Sequence, residues 1–193
     1  MKRDSAKLLM EGRILDTADR LFYGQGIRAV GVDTIAAQVG ISKRTLYNHY
    51  PSKDALIVAY LSRRLTPNRT SEGPPAQEIL AAFDRLERTL ASDDFRGCPF
   101  VNAVAELGEP EHAANRIALE FKDQRRAWFR DRLSRLKVAN PDYLAIQLYL
   151  LVDGAVASAL VSGDPKMARA AKDVARVLLK DAGVALPPSG PQN

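Results

Sequence analysis

The chain has 193 residues, of which 46% are hydrophobic and 26% charged, and it carries a formal net charge of +5. This composition is typical of a soluble globular protein with one or two small domains. The single cysteine, Cys98, excludes an internal disulfide. The start MKRDSAKLLMEGR has no apolar run long enough for a signal peptide. No stretch reaches about 18 uncharged apolar residues, so we expect no membrane span. The lone cysteine is consistent with a reducing compartment, so we expect a cytoplasmic protein.

The positive charge is concentrated in the N-terminal third. Residues 1–64 contain 11 Lys and Arg against 6 Asp and Glu, whereas the remainder contains 17 of each. Surplus positive charge favours a polyanionic partner through phosphate neutralisation. A basic third is also common in proteins that bind no nucleic acid, so the charge only supports a motif found on other grounds.

The first predicted helix begins near Met10, after residues that we expect to be frayed. Its apolar stripe consists of Ile14, Ala18, Leu21 and Phe22. Glycines at 24 and 26 end it. Arg28 follows this stop, where it either contacts a DNA phosphate or is a solvated loop arginine.

Residues 33–50, DTIAAQVGISKRTLYNHY, predict two short helices joined by a glycine corner. Apolar residues at helical spacing form the first helix, and Gly40 permits the left-handed backbone that ends it. Ser42 is expected to cap the second helix with its hydroxyl, and Leu46 supplies much of its buried side. The N-cap position of the first of these two helices falls on Gly31.

Two short helices around such a corner form a helix-turn-helix, in which the second helix lies in the DNA major groove. We predict that polar side chains on this helix and its flanks bind DNA: Arg28, Thr34, Ser42, Lys43, Arg44, Thr45, Tyr47, Asn48, His49 and Lys53. Thr34 and Lys53 are assigned to backbone phosphates. A helical hairpin with a solvated basic face is the alternative that this pattern alone leaves open.

The continuation YNHYPSKDAL favours the helix-turn-helix over a helical hairpin with a solvated basic face. Tyr50-Pro51 ends one helix, and Ser52 caps the next, which carries Asp54 in its first turn. With the corner before it, this run closely resembles the TetR family of one-component transcriptional regulators over about residues 10 to 60. Family members usually have Ser or Thr where this chain has Gly31, so a phosphate-contacting hydroxyl is missing. The resemblance implies a DNA-binding repressor, a homodimer on a palindromic operator and release by a small-molecule effector.

Beyond a loop at 66–75, the pattern predicts helices at 76–92, 100–107, 113–138, 142–162 and 165–181. The helix at 113–138 carries Arg125, Arg126, Arg130, Arg132, Arg135 and Lys137, which we interpret as a solvated face. No strand is convincing, so the predicted fold is all-α with about nine helices. We assign residues 1–51 to a helix-turn-helix DNA-binding domain, 52–65 to a connecting helix, 66–186 to a helical ligand-binding and dimerisation domain, and 187–193 to a disordered tail.

The helices at 142–162 and 165–181 carry small and apolar residues on more faces than one monomer core needs. This predicts a four-helix interface between two copies, formed by Leu151, Gly154, Ala155, Ser158, Val174 and Val177. A buried central helix in a monomer is the alternative.

Aromatic residues are concentrated in the C-terminal part, where five of the six phenylalanines and the single tryptophan lie beyond residue 80. Binding pockets are mostly apolar with a few orienting polar groups. The predicted effector-binding residues are Phe83, Phe100, Asn102, Phe121, Gln124, Trp128 and Gln147. Ordinary core packing explains the same aromatics equally well.

An enzyme is the rival class. The two histidines, His49 and His112, do not stand at metal-ligand spacing with Cys98, and no phosphate loop or nucleophile elbow occurs. We therefore predict no catalytic residue, no metal and no cofactor. A small-molecule-binding or enzymatic helical protein without DNA function remains the alternative. Cys98 could sense oxidants, although lone cysteines usually behave as small buried apolar side chains.

Overall fold

The computed structural model describes residues 2–65 and 73–186, with side chains from Ser5 onward, and over these ranges it is all-α. The predicted fold class is confirmed. Its helices are α1 (Lys2–Gln25), α2 (Val32–Val39), α3 (Lys43–His49), α4 (Lys53–Arg64), α5 (Pro75–Leu90), α6 (Pro99–Leu107), α7 (Ala113–Arg135), α8 (Pro141–Ser162) and α9 (Lys166–Asp181). The predicted tail at 187–193 and most of the predicted loop at 66–75 lie outside the described residues.

The helix α1 starts earlier than the sequence pattern indicated. It begins at Lys2 rather than near Met10. No proline or glycine interrupts residues 2–9, and each residue added to an existing helix gains a hydrogen bond without a new nucleation cost. This extension is solvated, since Leu8 and Leu9 are 67% and 69% exposed.

The first compact unit consists of residues 2–65 together with Cys98–Phe121. The predicted stripe of α1 forms the centre of its core, and Ile14, Ala18 and Leu21 are fully buried. The guanidinium of Arg64 donates two hydrogen bonds, of 2.6 and 2.8 Å, to the carboxylate of Asp19. This bidentate pair ties α4 to α1 beneath the helix-turn-helix.

The inclusion of α6 and the start of α7 in this unit differs from the predicted division at residue 66. The ring of Phe100 stacks on that of Phe121 with centroids 4.1 Å apart, and Phe100, Ala103 and Ala114 belong to the core around α1. Cys98, partly buried, packs against the same core. The predicted division followed breakers along the chain, and contacts between distant segments leave no such local signal.

The second compact unit contains α5, the rest of α7, α8 and α9. Its core includes Ile79, Phe83, Phe129, Leu133, Leu148, Ala175 and Leu179. The prediction of a solvated basic face on α7 is wrong for Arg132. Its Nε donates to Glu78 Oε2 at 2.9 Å, and the two side chains are 5% and 3% exposed. The guanidinium also lies 4.2 Å from the centroid of the Trp128 ring.

The alternative for α8, a buried central helix in a monomer, does not match what the described part of the chain shows. Leu144 and Leu148 are buried, whereas Leu150 is 61% and Val161 90% exposed. By length and composition alone α8 could cross a membrane, because its most apolar stretch has a mean hydropathy of 1.9, and only 28% of that stretch is buried. Asp153 interrupts the apolar sequence of α8, and its Oδ2 forms an ion pair with Lys122 Nζ at 2.5 Å.

Candidate nucleic-acid interface

The corner between α2 and α3 has the geometry that its sequence predicts. Gly40 adopts the left-handed conformation, with φ 78° and ψ 35°. Beyond it, the Ile41 N–H donates to the Ala36 carbonyl at 3.0 Å. Glycine alone adopts this conformation without a Cβ penalty, so the chain can reverse at this point and start α3 immediately.

The serine caps hold α3 and α4 at their first turns. Ser42 Oγ accepts a hydrogen bond from the Thr45 N–H at 3.0 Å, and Ser52 Oγ accepts one from the Ala55 N–H at 3.0 Å. Gly31 caps α2 without a side-chain hydrogen bond, as expected. Leu46 is fully buried and anchors the short α3 to the core of the first unit. Both ends of the motif are therefore fixed before any DNA is bound.

The exposed side of the motif carries most of the side chains predicted to bind DNA. Thr34, Ser42, Lys43, Arg44, Tyr47 and Asn48 are exposed, and Thr45 and Lys53 are partly exposed. The Thr45 hydroxyl lies 2.8 Å from Ser42 Oγ, so it is already used within the cap. The structure thus leaves these side chains accessible on α2, on α3 with its cap and at the start of α4, and their contacts with DNA remain predictions.

His49 departs from the predicted outward orientation. Its side chain is only 14% exposed, and its Nδ1 lies 3.5 Å from Glu11 Oε1 on α1. The neighbouring Tyr50 hydroxyl donates to the Glu11 carbonyl at 3.3 Å. The last turn of α3 therefore faces α1. Helical spacing alone could not show this, because it does not say which neighbouring helix crosses behind the motif.

Arg28 also has a protein partner. Its main-chain N–H donates to Glu106 Oε2 at 2.9 Å, and its guanidinium donates to the Leu107 carbonyl at 3.3 Å. A phosphate contact by Arg28 stays a prediction, and these bonds favour the alternative of a loop arginine without a DNA role. Nothing in the local sequence pairs this loop with α6.

The cations of the motif differ in how they are engaged. Lys43 Nζ lies 2.9 Å from Asp33 Oδ2, and this hydrogen bond raises the pKa of Lys43 above its ordinary value. Within residues 2–65 and 73–186, neither the Arg44 nor the Lys53 side chain makes a hydrogen bond or ion pair. Arg44 and Lys53 are therefore unpaired within these ranges. Lys43 is held by Asp33, a residue that the predicted interface did not include.

Two arginines of α1 support α2 from behind. The Arg13 guanidinium donates to the Val39 carbonyl at 3.0 Å, and that of Arg20 donates to the Gln38 side chain. The first contact satisfies a carbonyl at the C-terminal end of α2, where helices leave such groups unpaired. The sequence pattern predicted α1 and its apolar stripe but did not identify these supporting residues.

The predicted effector-binding residues do not fall in one compact unit. Phe100, Asn102 and Phe121 lie in the first unit, and Phe83, Gln124, Trp128 and Gln147 lie in the second. Trp128 is 8% exposed and packs edge-on against Phe129, with centroids 5.1 Å apart. Its Nε1 is buried without a hydrogen-bond partner in the part of the chain that is described. The effector role of all seven residues stays a prediction.

The predicted dimer residues lie along α8 and α9. An open groove of about 260 Å³ is lined by Leu150, Leu151, Gly154, Ala155, Ser158, Met167, Ala170, Ala171 and Val174. Val174 and Val177 are 47% and 65% exposed, whereas Ala155 is 5% exposed. Most of the predicted set thus surrounds one apolar depression, and the dimer itself remains a prediction.

This arrangement of helices and side chains has known counterparts. The family model described as bacterial regulatory proteins, tetR family, matches residues 14–60, from the core stripe of α1 into α4. The chain is 25% identical over 161 residues to the HTH-type transcriptional regulator YjdC of Escherichia coli, covering 77% of this chain and 82% of that protein. It is 42% identical over 107 residues to the uncharacterized HTH-type transcriptional regulator Rv1255c of Mycobacterium tuberculosis, covering 52% and 53%.

A solved structure agrees over nearly the whole chain. SCO4454, a TetR-family transcriptional regulator from Streptomyces coelicolor, matches with a TM-score of 0.82 and 30% identity over 91% of this chain and 96% of its own. These relatives are transcriptional regulators, which agrees with the prediction that the chain is not an enzyme.

Proposed function

The chain belongs to the TetR family of transcriptional regulators, and we propose that it is a cytoplasmic repressor whose homodimer leaves a palindromic operator when a small molecule binds. The observation that carries this proposal is the exposed outer side of α3, whose start is capped by Ser42. Its start presents Arg44 without a protein partner, and Tyr47 and Asn48 are exposed beside it. Such a helix enters the major groove with its N-terminal residues toward the base edges.

The candidate surface divides by role. Arg44 and Asn48 are proposed to contact base edges, because arginine matches guanine and asparagine matches adenine in bidentate geometry. Lys53, Thr34 and the Tyr47 hydroxyl are proposed to bind backbone phosphates, which position a protein without specifying sequence. His49 would have to turn away from Glu11 to join them.

A homodimer follows from the size of the reading surface and from the apolar surface of α8 and α9. One helix-turn-helix covers too few base pairs for useful specificity, and two-fold pairing on a palindrome doubles the site. Leu150, Val174 and Val177 together leave apolar surface that a second copy would cover. Exposed apolar patches of this kind are typical of protein interfaces.

Effector binding is proposed for the C-terminal helices, on the strength of family membership and their aromatic content. A ligand that binds better to the DNA-free conformation of the dimer shifts the population away from the operator-bound state. The orienting polar groups would be Gln124 and Gln147, which are partly exposed on α7 and α8. The connecting helix α4 would carry the change to the motif.

The direct test combines operator selection with transcription. A randomised duplex pool is selected with the purified protein, and the enriched sequence is placed upstream of a reporter in cells with and without the regulator. We expect an inverted repeat, and reporter output that rises when the regulator is absent. Output that falls on its removal would identify an activator instead, and enrichment of no sequence would refute operator binding. Genes near the operator encode proteins whose substrates and products are effector candidates. Each candidate is scored by Trp128 fluorescence and by release of the duplex.

A further inference from the structure

An acidic side chain, Asp33, stands beside the cations of the candidate surface. Asp33 is the only Asp or Glu between Arg20 and Lys53 in the sequence. Its side chain is 73% exposed in the first turn of α2, and its Oδ2 lies 2.9 Å from Lys43 Nζ at the start of α3. A free carboxylate at such a place would repel phosphates, so its presence on this face needs an explanation.

The ion pair between Asp33 and Lys43 reduces the positive charge that Lys43 contributes to the attraction of DNA phosphates. Arg44 and Lys53 have no partner within the described ranges, whereas the ammonium of Lys43 is held across the corner by Asp33. A lysine paired with a carboxylate adds no net charge to the field that attracts phosphates. Since both side chains are largely exposed, the pair is weak, and a partner that gains more from Lys43 can separate it.

We propose that Asp33 is a positioning residue that withholds Lys43 from the DNA backbone, and that it thereby sets the ratio of operator affinity to non-operator affinity. On mixed sequence, where only phosphate contacts are available, Lys43 stays with Asp33. On the operator, well-placed contacts from the rest of α3 bring Lys43 close enough to a base edge to exchange partners. This inference rests on DNA binding and is independent of repression or of an effector.

A purely structural role for Asp33 is the competing explanation. Gly31 supplies no side-chain cap to α2, and an acidic residue in the first turn stabilises a helix through its dipole. That role predicts a lower melting temperature for a variant at Asp33, with the same salt dependence of DNA binding. The salt dependence of DNA binding therefore distinguishes the two explanations, because a change in folding stability alone does not alter it.

The test measures binding of the full-length protein to a duplex of mixed sequence and to the selected operator, over a range of salt concentrations. Asp33→Asn is compared with Asp16→Asn, which removes an equal charge from a similar exposed pair, since Asp16 is 69% exposed and lies 2.7 Å from Arg63. We expect Asp33→Asn to steepen the logarithmic salt slope on mixed DNA by about 0.9 per protomer, as for one added phosphate contact. Between about 50 and 200 mM salt, the affinity of the variant would then fall about 3.5-fold more than that of the wild type for each protomer bound, or about 12-fold more for a homodimer that engages both motifs.

The ratio of operator to mixed-sequence affinity should fall in Asp33→Asn and not in Asp16→Asn. In a Lys43→Gln background, Asp33→Asn should change the slope much less, because it releases no lysine and removes only the repulsion of an unpaired carboxylate. An effect of equal size in that background would show that Asp33 repels phosphate directly, and the proposal would be wrong. Equal slopes for the two Asp→Asn variants would also overturn it. If the wild type binds neither duplex, the failure lies in DNA binding itself.

Discussion

Gly26 lies directly beneath the carboxylate of Glu106, whose Oε2 would stand 3.0 Å from a Cβ placed on Gly26. The same oxygen accepts the main-chain N–H of Arg28 at 2.9 Å. The last turn of α6 is thereby fastened to the loop that leads from α1 into the helix-turn-helix. The close approach is possible because the loop has no side chain at this position.

Gly26→Ala should destabilise the protein by about 1–2 kcal/mol, because Gly26 has φ +95° and left-handed backbone is unfavourable for residues with a Cβ. The Glu106 side chain can shift by a few tenths of an ångström, so the backbone sets most of the cost. Urea unfolding measures the change. Gly24→Ala is the matched control, since a Cβ at this helical position meets nothing within 4 Å. It should stabilise by up to about 0.5–1 kcal/mol. Equal effects of the two variants would contradict this explanation.

Arg44→Ala and Lys53→Ala should weaken DNA binding in different ways. Loss of Arg44 should relax the preference at one operator position by about 1–3 kcal/mol, as for a bidentate contact with guanine. Loss of Lys53 should weaken all sequences alike and reduce the salt slope by about 0.9 per protomer. Selection from a randomised pool with each variant measures the sequence preference, and binding titrations at several salt concentrations measure the slope. An unchanged preference profile for Arg44→Ala would remove Arg44 from the base-reading set.

Leu150→Glu should convert the proposed dimer to a monomer, because it places a charge in the groove between α8 and α9. Light scattering at micromolar concentration should then give about the monomer mass of 21.2 kDa. Leu119→Glu on α7 is the control, since Leu119 and Leu150 are both 61% exposed. A wild-type protein of monomer mass, or a Leu150→Glu protein that remains dimeric, would contradict the proposed interface. Ala159 is unsuitable for this test, because it is 3% exposed and a charge there would disturb the monomer core.

Glu78→Leu or Arg132→Met should each lower the free energy of unfolding by about 3–5 kcal/mol, because either change leaves a buried charged group without its main partner. Of the ion pairs in the described ranges, Arg132 would keep only that with Asp131 at 3.2 Å, and Glu78 only that with Arg135 at 3.9 Å. The double variant Glu78→Leu with Arg132→Met should lose much less, since it buries neither charge. Denaturant unfolding of the four proteins in a double-mutant cycle tests this. Single variants that cost no more than the double variant would show that the pair, though 5% and 3% exposed, is not isolated from water.

Local signals predicted the motif itself. The glycine corner at Gly40 and the caps at Ser42 and Ser52 depend on short-range backbone geometry, and each is confirmed at its predicted position. The stripe of α1 and the buried Leu46 follow from helical periodicity in the same way. A resemblance that rests on these residues therefore found the correct family and fold class, and it placed most of the exposed side chains of α3.

Local sequence determined which backbone forms each helix, where α2, α3 and α4 begin and which residues share a helical face. Tertiary structure decided what those faces meet. It turned His49 toward Glu11, bonded Arg28 to α6, paired Lys43 with Asp33 and buried Arg132 against Glu78. Each of these contacts joins residues from different helices or loops. A hydrogen bond between distant segments leaves no periodic trace in either segment, whereas a cap or a turn is formed by residues that are neighbours in the chain.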